Sequence, residues 1–464
     1  MATKKNPGRI IIIVLLLVLL IIFLIFRYSP SRRDSNTAQT HLDTSKFILN
    51  NGWNVLFKNG TTQAKKNKLI ANIEDSIRQF YIDYNNIHGT YFSPEFGDVA
   101  WCPCDSTLYN FNFKCVNGAG DAVSSPPPRK PGPAGSGDLI DVLFISNNLV
   151  IAPPKEPSYP GIDSVNSVMV GALPLDNAKI LAVIDSGIDT TLFQPDIQRL
   201  IWTEAGGAST LYNFLPGQPL KDLSDPGRSK HGSAVAALAI KAMSNVTKYP
   251  RLMILKALDK GERGSIFTVS CAMSYAIQKN ATLINASLGY YGEADDILGH
   301  YVQLAANHEP SPILLFAAAG NTINDYPHDE NNLCNGGFNR NELSKTRLFF
   351  PACFPKQLGN ITSVTQIKDA DSSCFYQNFS NEYVSLGVLN KSNCCAFTVD
   401  FRQRQQQYYE GSSFATPVAS GKRMATLLNN NTESGASNAW RSLIIAAPKK
   451  RVTINGNYII YAER

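Results

Sequence analysis

Four short stretches of this chain hold side chains suited to acyl-transfer chemistry. Asp185 closes the apolar run Ile180-Leu-Ala-Val-Ile184 and is followed by Ser186-Gly187. In an open α/β sheet, sites form at the carboxyl ends of strands, where a carboxylate is held rigidly and can accept a bond from an imidazole. His231 stands between a polar loop, Gly227-Arg-Ser-Lys230, and a helical run of small residues, Gly232 to Leu238. Ser413 lies in Gly411-Ser-Ser-Phe-Ala-Thr-Pro417, at what reads as a helix start. Backbone amides and the helix dipole there favour a developing anion, and Pro417 suits a first helical turn. Asn321 ends Phe316-Ala-Ala-Ala-Gly-Asn321, where a carboxamide could donate to an oxyanion. Taken singly, each also reads as something plainer: an Asp-Ser-Gly turn, a structural histidine, an N-cap serine, a Gly-Asn turn.

Positioning such groups requires a rigid frame. Ile180–Ile184, Leu252–Ala257, Thr282–Asn285 and Pro312–Ala317 are continuous apolar runs that read as buried strands, and Ile266–Gln278 and Asp295–Asn307 read as helices between them. Continuous apolar strands alternating with helices predict an α/β domain with a parallel sheet covered on both faces, over residues 165–448, and a C-terminal strand or tail over 449–464. Upstream, residues 43–120 form a small α+β segment. Lys65–Tyr84 carries Leu69, Ile70, Ile73, Ile77, Phe80 and Tyr81 at helical spacing, and Val99–Phe113 looks strand-like. Residues 121–164, with the Pro/Gly-rich run from Ser124 to Gly137, read as a linker.

The first residues are the most biased. Ile10–Phe26 is an unbroken run of Ile, Leu, Val and Phe, preceded by Lys4, Lys5 and Arg9. As a helix it is about 25 Å long, near the short limit for a bilayer span. With no small-residue cleavage site after it, the run reads as a retained transmembrane signal anchor over 10–26. Residues 1–9 are then cytoplasmic and 27–42 a stalk, with the remainder facing the periplasm or the extracellular side. Among 464 residues, 44% are hydrophobic and 17% charged, a globular balance. The net charge of +6, with no long basic run beyond the first few dozen residues, argues against a nucleic-acid partner. Nine cysteines in an exported chain suit disulfide pairing. Cys271 lies in an apolar helical pattern and reads as a buried free thiol. Cys102-Pro-Cys104 is too tight for the usual zinc spacing, so no metal ligands are assigned.

Together, the order and context of the four stretches resemble the subtilisin family of serine proteases (the subtilases, peptidase family S8). That family's motifs read as a strand ending Asp-Ser/Thr-Gly, a helix opening His-Gly-Thr-x-Val-Ala, a strand ending Ala-Ala-Gly-Asn, and a helix opening Gly-Thr-Ser-x-Ala-Thr-Pro. Here stand Asp185-Ser-Gly187, His231-Gly-Ser-Ala-Val-Ala236, Ala318-Ala-Gly-Asn321 and Gly411-Ser-Ser-Phe-Ala-Thr-Pro417. The order Asp, His, Ser is also the subtilisin order. Ile284-Asn-Ala-Ser-Leu-Gly289 is similar to the strand that lines the family's substrate cleft, and Phe350-Pro-Ala352 and Phe379-Ser-Asn381 are similar to two further landmarks. The resemblance covers roughly residues 165–430. Ser233 and Ser412 each replace a usual threonine but keep the hydroxyl. Insertions carrying Cys334, and Cys394 with Cys395, flank the expected cleft rim.

The resemblance implies a serine endopeptidase with Asp185, His231 and Ser413 as its triad and Asn321 in its oxyanion hole. Ser287, Leu288 and Gly289 would add extended substrate as a strand, and Ala318, Ala319 and Gly320 would wall a first specificity pocket with room for a sizeable apolar side chain. No cofactor is required, and a structural calcium is compatible with the resemblance, its ligands unassigned. The partner is a protein or peptide substrate. Residues 43–120 have the size and position of an intramolecular propeptide, and equally of a tethering module that stays attached. The alternative for the whole chain is a catalytically inactive subtilase-fold scaffold at the membrane.

Overall fold

The computed structural model describes residues 48–120, 142–154 and 173–461, excepting within the last span 208–209, 244–245, 322–341, 356–357, 370–371, 375–376, 391–395, 400, 403–406, 431 and 447–456. The 10–26 run, the 27–42 stalk and the Pro/Gly-rich stretch at 124–137 lie outside the described residues. Among those described, no helix is long and apolar enough to cross a membrane.

The first module comprises β1 (Ile48–Phe57), α1 (Gln63–His88), β2 (Ser93–Phe96), β3 (Ala100–Cys102), β4 (Asp105–Val116) and β5 (Val142–Ile151). Helix α1 begins at Thr62, whose hydroxyl accepts from the Lys65 amide, and ends at Gly89 in the left-handed conformation. Its Leu69, Ile70, Ile73, Ile77 and Tyr81 fall on one face and meet Trp53, Val55, Phe57, Tyr109, Phe111 and Phe113 from the sheet. The strands pair antiparallel in the order β2-β4-β1-β5, with β3 on β4. Strand β5 corrects the linker reading of 121–164: Val142 to Ile151 pairs along β1 and belongs to this sheet. Its sequence, Val-Leu-Phe-Ile-Ser-Asn-Asn-Leu-Val-Ile, is β-branched and apolar enough for a strand, but the proline run upstream dominates the local composition.

The second part follows as β6 (Leu175–Asp185), α2 (His231–Ala242), β7 (Tyr249–Lys256), β8 (Gly264–Ser265), α3 (Ile266–Gln278), β9 (Leu283–Ala286), β10 (Tyr290–Tyr291), α4 (Asp296–Ala306) and β11 (Leu314–Ala318). After these come β12 (Phe349–Phe350), β13 (Ile361–Asp369), β14 (Ser372–Ser373), β15 (Leu386–Asn390), β16 (Phe397–Val399), β17 (Gln407–Tyr409), α5 (Ser412–Asn429), α6 (Glu433–Leu443), β18 (Ile445–Ala446) and β19 (Asn457–Tyr461). The main sheet runs β18-β19-β15-β13-β11-β9-β6-β7. Neighbours from β19 to β7 are parallel, and only β18 and the side strand β14 are antiparallel.

The period of two along β6 explains why its apolar run is continuous. Leu181 and Val183 face a core shared with α2 and α5, while Ile180, Ala182 and Ile184 face one shared with α3 and α4. Strand order reverses at β6: β7 lies on one side and β9 onward on the other, so the carboxyl ends of β6 and β9 border a crevice. The first module packs on the α3–α4 side, where Leu56, Cys102, Leu108 and Ile151 join the core of the second part. There Cys271, expected as a free thiol, is disulfide-bonded to Cys102 of the first module, 169 residues away in sequence. Burial in an apolar helix was the wrong guide, because its neighbour is a cysteine from another module. Cys374 is also disulfide-bonded.

Candidate active site

Asp185 is the last residue of β6, at the strand-order reversal, and is 1% exposed. Its carbonyl accepts from the amides of Ala257 and Leu258, fixing the strand end. Its Oδ1 accepts from the Ser186 amide at 2.8 Å and pairs with His231 Nδ1 at 2.8 Å. Gly187 has φ +109°, and a Cβ there would lie 2.4 Å from the Ser224 carbonyl oxygen, so no other residue fits this turn. Across it, Gly232 brings the first turn of α2 against the Gly187 backbone, where a Cβ would come within 2.3 Å of the carbonyl oxygen. That approach seats His231 as the first residue of α2.

A second buried acid supports this pair and was missed in the sequence. Asp225 accepts from Ser186 Oγ at 3.0 Å, from the Ser233 amide at 3.0 Å and from Ser233 Oγ at 2.7 Å. Ser233 Oγ in turn accepts from the Asp189 amide, and Ser186 Oγ from the Gly232 amide. This explains why the threonine-to-serine change at 233 keeps the hydroxyl. Burial, opposed by the Ser233 bonds and reinforced by the nearby Asp185 charge, raises the Asp225 carboxyl above its ordinary range. An isolated aspartate before a Pro-Gly turn carries no sequence signal for such a role.

Ser413 is the second residue of α5 and is fully buried. The mouth of this helix is held from three sides. Ser412 N donates to Asn321 Oδ1 at 3.0 Å, Gly320 N donates to Ser412 Oγ at 3.0 Å, and Gly411 N donates to Gln366 Oε1 at 3.0 Å. Pro417 lies one turn further into α5 than the sequence reading placed it, and it lacks the amide that would meet the Ser413 carbonyl. Ser287 Oγ, beyond the end of β9, donates to that carbonyl instead at 2.7 Å. Ser287 Oγ itself accepts from Asn285 Nδ2, and Asn285 Oδ1 accepts from Ser420 Oγ. The Phe414 ring packs on His231 at a centroid distance of 5.0 Å, which sets the α5 mouth beside the imidazole. Contacts thus link Asp185 to His231, His231 to Phe414 beside Ser413, the Ser413 carbonyl to Ser287, and Ser412 to Asn321.

The two segments expected to line a substrate are buried. Ser287, Leu288 and Gly289 on one side and Ala318, Ala319 and Gly320 on the other are all buried. Phe349 sits against both edges. A Cβ on Gly289 would lie 2.4 Å from its Cε1, and one on Gly320 2.8 Å from its Cγ. The ring is 3% exposed and stacks edge-on with Tyr291 at 4.8 Å. Phe349 thus stands against one glycine of each segment, where a large apolar side chain was expected to find room. The outer part of the crevice holds the first module. Val150 and Ile151 of β5 pair antiparallel with Ser265 and Gly264 of β8, and Ala152 exchanges two backbone bonds with Gly289 at 3.2 and 3.0 Å. Ile151 is fully buried. Among the described residues no three His, Cys, Asp or Glu side chains are placed to hold a metal ion.

Residues 176–458, more than half of the chain, match the model of the subtilase family. The chain is 25% identical to the thermophilic serine proteinase of Bacillus sp. (strain AK1) over 61% of its own length and 59% of the relative's. It is 33% identical to the thermostable alkaline protease of Halalkalibacterium halodurans over 32% of its length and 36% of the relative's. It is 28% identical to the cell wall-associated protease of Bacillus subtilis over 24% of its length and 12% of the relative's. It thus spans less than two thirds of each of these relatives.

Proposed function

Because the chain belongs to the subtilase family, we propose that it is a serine endopeptidase in which Ser413 attacks a peptide carbonyl and His231 and Asp185 manage the proton. The observation that carries this reading is the 2.8 Å bond from Asp185 to His231 Nδ1 at the strand-order reversal, beside the α5 mouth that bears Ser413. With Nδ1 turned to the acid, His231 uses Nε2 to take the Ser413 proton and later gives it to the leaving amine. Asp185 fixes the tautomer and stabilises the imidazolium. Asn321 has its carboxamide oxygen committed to Ser412, so its amide end is the donor for an oxyanion, together with the Ser413 amide. The alternating edges of β8 and Gly289 take an extended chain by strand addition.

In the same reading the first module is an intramolecular inhibitor rather than a tether alone, because its strand from Val150 to Ala152 pairs with β8 and with Gly289, where an extended substrate would add. The N-terminal run at 10–26 would hold the protein at a membrane with the peptidase part outside. Phe349 restricts the residue preceding the scissile bond to a small side chain.

A fluorophosphonate probe tests the assignment. Undocking the module with Ile151→Asp should give strong labelling at Ser413 and cleavage of casein, and Ser413→Ala should abolish both. A folded Ile151→Asp protein that neither labels nor cleaves would favour the inactive scaffold. Asn321→Ala should slow turnover about 100- to 1000-fold while leaving labelling detectable.

A further inference from the structure

The disulfide between the modules is not isolated. Cys102 and Cys271 are bonded and fully buried, and a third sulfur, the thiol of Cys104, stands 3.4 Å from Cys102 Sγ. Cys104 Sγ also donates to the Cys271 carbonyl at 3.4 Å, so it touches both partners of the bridge. Cys104 is partly exposed, unlike the two residues it contacts. Cys102 ends β3 and Cys104 lies in the turn to β4, both in the first module, whereas Cys271 belongs to α3 of the second part. If the chain between residues 155 and 172 were cut, the first module would remain covalently attached through this bridge.

We propose that Cys102, Cys104 and Cys271 form a thiol–disulfide exchange site in which Cys104 attacks Cys102 and frees the first module from the second. The Cys104 thiolate forms a bond to Cys102 Sγ, the Cys102–Cys271 bond breaks, and Cys271 leaves as a thiolate that takes up the proton Cys104 gave. One disulfide is exchanged for another and no outside oxidant or reductant is consumed. The product is a Cys102–Cys104 bridge closed within the first module and a reduced Cys271. An external thiol reductant reaches the same cluster through Cys104's open side.

The surroundings keep the site quiet while the modules are docked. Burial, then the adjacent Asp105 carboxylate, push the Cys104 thiol up to about 12, against a smaller opposing effect of Lys279. Tyr275 and Tyr301 are the other titratable groups facing it, and both stay neutral, raised by burial. Asp105 is itself pinned to the second part, accepting from Ser274 Oγ at 3.1 Å and Tyr301 Oη at 2.6 Å. Loosening the module frees Asp105 from Ser274 and Tyr301 and opens Cys104 and Asp105 together to water, which removes the burial that disfavours the Cys104 thiolate and screens the carboxylate beside it. The exchange follows from the sulfur geometry; that it also relieves inhibition rests on the protease reading.

Disulfide mapping of the intact, catalytically silenced chain (Ser413→Ala) tests the exchange separately from activity. Protein is held at pH 7 or pH 9 without reductant, quenched in acid, unfolded, alkylated and mapped. At pH 7 the Cys102–Cys271 cross-link should dominate with Cys104 alkylated. At pH 9 alkylated Cys271 should appear together with a closed Cys102–Cys104 loop, at least tenfold more than in Cys104→Ser. Addition of Ile151→Asp, which loosens the module without touching a sulfur, should raise the exchanged fraction at pH 7. Absence of the Cys102–Cys271 cross-link at pH 7, Cys271 that stays bonded at pH 9 and in the loosened protein, or equal Cys271 labelling in Cys104→Ser, would each overturn the proposal. None of these readings depends on proteolysis, so a failed protease assignment would leave the result intact.

Discussion

At the scale of single residues, Phe349 and Asp225 separate this site from what its motifs alone convey. The Phe349 ring lies against both Gly289 and Gly320, so in the protease reading its removal should change which substrates are taken. Phe349→Ala should raise the ratio of kcat/KM for peptides with Phe over Ala before the scissile bond by at least about tenfold, or 1.4 kcal/mol. A matched peptide pair assayed on both proteins checks this, and an unchanged ratio would place the pocket elsewhere. The same change should cost about 3–5 kcal/mol of stability through the cavity it leaves, read as a lowered denaturant midpoint. Asp225 acts through Ser186 and Ser233 without reaching the reacting atoms. Asp225→Asn keeps the shape but replaces an acceptor with a donor facing two hydroxyls and an amide. It should lower kcat with KM little changed and shift the acid limb of the pH–rate profile, because the charge behind the Asp185–His231 pair is gone.

At the scale of elements, the strand from Val150 to Ala152 carries the argument for inhibition, and the residues after it sharpen it. Pro153 and Pro154 have no amide hydrogen, so the two residues after Ala152 offer no donors to the Ser287-Leu288 edge that a cleavable peptide would engage in the protease reading. Replacing both with alanine restores the donors. Intact-mass measurement over time should then show faster self-cleavage near this point than in the unaltered chain, and none in the Ser413→Ala background. Elements were legible in the sequence where an apolar run or a helical spacing stood out, as at Ile180–Ile184, Leu252–Ala257 and Lys65–Tyr84, whereas the buried strands at Ile48–Phe57, Ile361–Asp369 and Leu386–Asn390 went unread. Ile266–Gln278 has the bounds expected, since Ser265 and Thr268 form a capping box at its start. The helix expected at 295–307 runs from Asp296 to Ala306, with Asp295 and Asn307 as its two caps. Motif glycines likewise marked true close approaches, at 187 and 232. Unread were features made by distant pairing: β5 against β1, Cys102 against Cys271, and Phe349 against two glycines. Each depends on a partner distant in sequence, which periodicity and local turn chemistry do not encode.

At the scale of the whole molecule, two modules meet along α3 and α4, and charge as well as sulfur holds that contact. Burial alone would raise the Asp105 carboxyl, but hydrogen bonds from Thr107, Tyr301 and Ser274 outweigh it and hold it below the ordinary 3.8. Two of those donors belong to the second part, so the ionised acid is favoured by docking. A depressed carboxyl contributes to the docked state fully above its ordinary value and loses that contribution as pH falls through the depressed one. Acidification below the ordinary carboxyl value of 3.8 should therefore loosen the first module. Hydrogen exchange at the Val150 and Ala152 amides reads the loosening directly, with Cys104 alkylation as a second probe. Asp105→Asn keeps the hydrogen-bond acceptor but removes the titrating charge. Its docking should be weaker at neutral pH and flat across the acidic window. A variant as pH-sensitive as the parent would assign the acid response to other carboxylates and leave the disulfide as the principal link between the modules.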